Sequence, residues 1–267
     1  MAFLTERDLD LFLVMSLGVA RLDMISRFLK EAGYEITESA LLKRLSILKK
    51  ARYVASYRYN EPTKHGTFAV YSLTEKSVRE LAAMDHPIEF IRAGLPRNYF
   101  MQHEVAVTAV LHAMEIERIK GMYEFHFLDS SRLKQMADTR SRKNVPDLRV
   151  SFSYRDKTRA GPFLFEIDLG TVPMFKMVDR IRTALNEEDV SLLILCNRKS
   201  RIDSFISACS QSISPVYKTS EKVWFALLSE FRKGGMAETS FIGLDSHPRR
   251  LFCPECGLAT SCRHTVG

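Results

Sequence analysis

Residues 145–171 constrain the fold most tightly. They read V-P-D-L-R-V-S-F-S-Y, then a basic turn, then P-F-L-F-E-I-D-L-G-T. The apolar runs Leu148–Tyr154 and Pro162–Ile167 predict adjacent strands, joined through Arg155–Gly161 as a hairpin. Asp147 enters the first strand just behind Pro146, and proline suits a strand's first position. Glu166, Asp168 and Thr171 fall where the second strand runs out. Strand alternation turns Glu166 and Asp168 to one face and Ile167 to the other. With Asp147 across the hairpin, three carboxylates gather at one sheet end, a density that suits Mg2+ or Mn2+. The competing reading is that the acids cap strand ends and pair with nearby arginines. Either way they need compensation, because a bare charge in an apolar run is costly.

Charge enters next. Of 267 residues, 39 are Lys or Arg and 32 are Asp or Glu, a net charge of +7 that favours a polyanionic partner. No apolar run approaches the roughly twenty residues a bilayer span requires. The N-terminus M-A-F-L-T-E-R-D has no signal-peptide character, and five cysteines, three of them near the end, do not make a secreted disulfide framework. The expected location is the prokaryotic cytosol, with no membrane partner.

The N-terminal third predicts three short helices. The first begins after Thr5, the second runs over Arg21–Ala32 and stops at Gly33, and the third begins after Thr37 and runs through Leu41, Leu42, Leu45 and Leu48, opposite Lys43, Arg44, Lys49 and Lys50. Y-V-A-S-Y-R-Y-N, the turn E-P-T-K-H-G and T-F-A-V-Y-S-L-T form a hairpin, and a helix follows from Thr74. This order resembles the winged helix-turn-helix family. The resemblance implies a third helix in the major groove and a hairpin along the phosphate backbone. The DNA-binding candidates are then Ser39, Lys43 and Arg44 on the helix, and Arg58, Lys64 and His65 in the hairpin.

Prolines and a glycine break the pattern over 84–98 and mark a linker between a first domain, 1–83, and a second, 99–233. The second predicts a helix over Tyr99–Lys120, a strand at Met122–Leu128, a polar basic loop and the hairpin above. A helix at Val172–Asn186, a strand at Val190–Cys196, a helix at Arg201–Ser212 and a strand at Lys222–Leu228 complete it. Helix, three strands, helix, strand resembles the αβββαβ core of PD-(D/E)xK nucleases, with Pro146-Asp147 and Glu166-Ile167-Asp168 as the motif. That resemblance implies Asp147 and Glu166 on a divalent cation, with Glu104 on the first helix as an additional acidic ligand. Asp168 stands where the family has lysine, and an acid cannot stabilise developing negative charge. Lys176 or Arg180 on the next helix would have to supply the cation, or Asp168 would have to recruit a second metal.

The H-E-V-A-V helix at His103–Val107, the P-D-L strand and the F-E-I-D-L-G-T strand, behind a winged helix, are together similar to the replication–relaxation family of plasmids and other mobile elements. Asp168, Gly170 and Thr171 then belong to that family's own pattern. After Gly234-Gly235 the chain reads as a tail, 234–267, ending F-C-P-E-C-G-L-A-T-S-C-R-H. Cys253, Cys256, Cys262 and His264 supply a tetrahedral Cys3His set for a structural zinc knuckle, although C-x-H is a tight spacing.

The expectation is a mixed α/β protein: a winged helix-turn-helix, a restriction-endonuclease-like domain and a small zinc knuckle. Its function is to bind double-stranded DNA in mobile-element replication, mobilisation or their regulation, without cutting. Other mobile-element proteins and a second copy in a homodimer are its further partners. The alternative is a metal-dependent endonuclease using Asp147 and Glu166 with Asp168 or Lys176. A third reading is a transcription regulator whose second domain only dimerises.

Overall fold

The computed structural model describes residues 4–60, 67–83, 91–96, 100–136, 145–154, 159–187, 190–214, 221–253 and 257–258. The chain divides into two compact units, Met1–Ile119 and Lys120–Gly267. Among the described residues, no helix is long and apolar enough to cross a membrane.

The first unit runs α1 (Glu6–Ser16), β1 (Ala20–Arg21), α2 (Leu22–Glu31), α3 (Glu38–Lys50), β2 (Val54–Asn60), β3 (Thr67–Leu73), α4 (Glu75–Ala83) and α5 (Met101–Ile119). Its three strands lie in the order β1-β3-β2, all antiparallel, with Ala20 opposite Tyr71 and Val54 opposite Leu73. Leu11, Phe12 and Met15 of α1, Ile25 and Leu29 of α2, and Leu41, Leu45 and Leu48 of α3 form one core. Thr37 caps α3 by accepting the Ala40 amide at 3.3 Å.

The unit boundary corrects the expected linker. Met101, Val105 and Ala109 of α5 pack on Val19, Met24 and Val70, so α5 completes the first unit rather than opening the second. Gly18 makes this approach close. A Cβ there would lie 2.4 Å from Thr108 Oγ1, and its φ of +136° is a conformation that glycine adopts most readily.

The second unit runs β4 (Glu124–Asp129), α6 (Ser130–Met136), β5 (Leu148–Ser153), β6 (Arg159–Asp168), α7 (Met174–Asn186), β7 (Ser191–Cys196), α8 (Lys199–Ser212), β8 (Val223–Leu227), α9 (Leu228–Glu238), β9 (Phe241–Gly243), β10 (Pro248–Arg249), β11 (Phe252–Cys253) and β12 (Gly257–Leu258). Seven of these strands form one sheet in the order β10-β9-β8-β7-β6-β5-β4. The β4-β5-β6 section is antiparallel, and β6-β7-β8 is parallel through the crossover helices α7 and α8. Ile181, Ile202 and Phe205 of those helices pack on Ile194, Val223 and Phe225. Elsewhere in the unit Phe231 of α9 meets Phe165 at 5.9 Å and Phe241 at 6.4 Å, ring edge to ring face.

Two expectations fail here. The basic loop after β4 begins as α6, whose start is secured by the Asp129 carboxylate accepting the Arg132 amide at 3.0 Å. Of the tail expected over 234–267, the described residues 234–253 continue the fold. Gly235, at φ 62° and ψ −152°, breaks α9 into two helical pieces, and Met236 and Ala237 beyond the kink are buried before β9 adds to the sheet.

Candidate functional site

Strand β6 delivers Glu166 and Asp168 to one face, as alternation requires. Both are buried, at 4 % and 0 % exposure, on the side covered by α7 and α8. Each meets an arginine from one of those helices. Arg180 of α7 pairs with Glu166. Arg201 of α8 donates from Nε to Asp168 Oδ2 at 2.7 Å and from its terminal nitrogen to the Val172 carbonyl. The Arg201 guanidinium also lies over the Phe205 ring, 4.5 Å from its centroid. The other Asp168 oxygen accepts the Gly170 amide at 3.2 Å, and Asn197 Nδ2 donates to the Leu169 carbonyl at 2.9 Å. The D-L-G-T segment is therefore a clamped turn, with Gly170 at a φ of +90°.

The hairpin register pairs Leu148 with Phe165, so one residue back it sets Asp147 opposite Glu166. The Asp147 carboxylate, however, accepts the Ile167 amide at 2.8 Å, and its own amide donates to the Phe165 carbonyl at 3.0 Å. It extends the ladder beyond the last strand pair. Glu104 lies in the first unit and pairs with Arg92. Lys176 is exposed at the start of α7.

The two β6 acids are thus compensated one for one by guanidinium groups, and Asp147 is engaged by main chain. Among the described residues, no group of three His, Cys, Asp or Glu side chains comes together to hold a metal ion. A divalent cation does not fit this donor set, because Glu166 and Asp168 already face guanidinium groups and Asp147 spends an oxygen on the Ile167 amide. Cys196, beside Asp168 in the sheet register, is fully buried. Burial, with the Asp168 charge adding to it, pushes its thiol up to about 12.

A second arrangement lies on α3. Leu41, Leu45 and Leu48 face inward, while Ser39, Lys43, Ser46, Lys49 and Lys50 are exposed. Arg44 is not on that outer face. It grips Asp8 of α1 with two hydrogen bonds, one from Nε at 2.7 Å, and Asp8 is fully buried. Burial opposes ionisation of Asp8, but hydrogen bonds from Arg44 and from the Thr5 amide and hydroxyl prevail and hold its carboxyl below the ordinary value. Arg44, expected as a DNA contact, is thus engaged with Asp8 inside the protein. Arg58 is exposed on β2, whereas Lys64 and His65 lie outside the described residues. Leu42 and Ile47, at 41 % and 39 % exposure, join the outer face of α3. The exposure of Leu42 corrects its expected place with Leu41, Leu45 and Leu48: at about 100° per residue it stands well off their stripe, as does Ile47.

In the C-terminal region, Cys256, Cys262 and His264 lie outside the described residues. The backbone of Cys253 pairs with Gly257 in the β11–β12 hairpin.

Against this geometry, the replication-relaxation family model matches residues 18–183, more than half of the 267-residue chain. The chain belongs to the replication-relaxation family. No curated protein and no solved structure matches it. Membership makes it a replication-related protein of a mobile element. The replication-relaxation match takes in α3, the β2–β3 hairpin, α5, the β6 acids and Arg180. Asp8, Arg201 and the C-terminal cysteines fall outside it.

Proposed function

We propose that this replication-relaxation protein binds duplex DNA through its first unit and that its second unit does not cut DNA. In this reading the first unit is a winged helix-turn-helix. Helix α3 enters the major groove with Ser39 and Lys43, and the β2–β3 hairpin lies along the backbone with Arg58, Lys64 and His65. The observation that carries it is the outer face of α3, which keeps Lys43, Lys49 and Lys50 in solvent while its apolar stripe is fully buried. The order β4-β5-β6-α7-β7 supports a PD-(D/E)xK-like second unit. The arginine pairing of Glu166 and Asp168 supports a non-cleaving one, because a guanidinium cannot generate a metal hydroxide.

Structural zinc completes the reading, with Cys253, Cys256, Cys262 and His264 as ligands. Pairing of Cys253 with Gly257 brings the two ends of C-P-E-C-G together, as a knuckle requires. The protein acts on double-stranded DNA as a homodimer, in company with other proteins of its element.

Titration of labelled duplex at rising salt tests the DNA reading. Affinity falls steeply, with about one unit of log–log slope per phosphate contact. A flat curve sinks it. Supercoiled plasmid with Mn2+ remains uncut by the wild type, and cutting that Asp147→Ala abolishes overturns the non-cleaving half. Elemental analysis of the folded protein finds one zinc per chain, and a folded, zinc-free sample refutes the knuckle.

A further inference from the structure

Helix α3 holds two large apolar side chains in water, Leu42 at 41 % and Ile47 at 39 % exposure, although Leu41, Leu45 and Leu48 beside them are at most 1 % exposed. At about 100° per residue, Leu42 and Ile47 stand at the two margins of the outer arc that carries Ser39, Lys43, Ser46 and Lys50. The face is therefore hydroxyl and ammonium in the middle, with an aliphatic surface on either side.

That composition selects among occupants. Lys43, Lys49 and Lys50 set like charges against each other if a second copy docks by the same face, and they favour a phosphate-bearing partner instead. A helix about 10–12 Å across fits the roughly 12 Å major groove of duplex DNA. Serine hydroxyls hydrogen-bond to base edges there. An aliphatic side chain in that groove meets one apolar feature, the thymine 5-methyl group.

We infer that Leu42 and Ile47 are specificity determinants that read thymine 5-methyl groups, so that the bound sequence carries thymine at the base steps facing them. The inference rests on the duplex-binding reading above and adds to it what the helix reads. The lysines supply affinity for any sequence, and the two aliphatic residues supply discrimination.

Duplexes are selected by the full-length protein from a random pool and remade with deoxyuridine replacing each thymidine in turn, which removes only the methyl. Wild type loses about fourfold in affinity at one or two of these positions, the worth of one buried methyl. Leu42→Ala or Ile47→Ala binds the thymidine and deoxyuridine forms equally at its own position, with unchanged melting temperature and salt slope. Lys43→Ala weakens both forms alike. Duplex binding with no deoxyuridine sensitivity, or a thymidine preference that survives both alanine variants, overturns the inference and leaves the DNA reading standing. Loss of self-association in Leu42→Ala with the thymidine preference intact also overturns it, in favour of a second copy. If no duplex is retained even at low salt, the DNA reading itself falls and this inference with it.

Discussion

Both units bury acids against arginines, and the outcomes are opposite. In the first, Asp8 draws Arg44 off the outer side of α3, and the lysines left behind keep that side cationic. In the second, Arg180 and Arg201 turn inward to meet Glu166 and Asp168, so the acids that look catalytic in the sequence are neutralised. One pairing leaves a charged surface intact, and the other removes a charged pocket. Sequence order therefore does not reveal which arginine an acid will draw inward, since the partners lie 14 to 36 positions apart.

The largest effect that tests this contrast lies in the second unit. Arg201→Met strands Asp168, which has no exposure, and costs about 3–5 kcal/mol in denaturant unfolding. The double variant Asp168→Leu/Arg201→Met recovers most of that loss, because well-packed apolar replacements remove both charges together. If the single variant unfolds like wild type, the pair is not structural and the acids are open to other roles.

In the first unit, Arg44→Met costs about 1.5–3 kcal/mol, the scale of hydrogen bonds to a charged group, while Thr5 still bonds to Asp8. The folded variant keeps its duplex affinity. A stable variant that loses DNA binding would return Arg44 to the groove. Lys43→Ala does the reverse, leaving melting unchanged and reducing the salt slope of binding by about one.

The smallest effect is a pH dependence. The Asp8 carboxyl in the folded chain lies below its ordinary value of 3.8, so on acidification the unfolded chain takes up the proton first. Its contribution is fully present above 3.8 and drains away as pH falls through the lower folded value. Melting curves of wild type and Asp8→Asn, taken from pH 5 down to pH 3, converge at the acid end. Parallel curves would show that this pairing carries no linked stability.

Much of the fold was legible. Apolar periodicity located the three N-terminal helices, the β2–β3 and β5–β6 hairpins and the α7–β7–α8–β8 succession, because each carries a continuous stripe or run. Helix α6 was not, since its seven residues bury none of their side chains and depend on a cap from Asp129. The Gly234-Gly235 pair reads as a break, yet only Gly235 leaves helical geometry, and the chain beyond it returns to the core. Helix α5 was found, but its allegiance was not, because Val105 and Ala109 do not name the surface they cover. For the acids, sequence gave their shared face correctly. It could not choose between metal and arginine, because Arg201 reaches Asp168 from 33 positions away.

The Asp8–Arg44 pair has one more consequence. Asp8 also receives the Thr5 amide at the start of α1, so the first turn of the chain and the inner flank of α3 share a single tether. The family segment starts at residue 18, beyond that tether. A chain trimmed back to Gly18 would lose that tether together with Leu11, Phe12 and Met15, which share one core with Leu41, Leu45 and Leu48. The residues ahead of the family segment are therefore structural members of the first unit, and the segment alone lacks one wall of the core that seats α3.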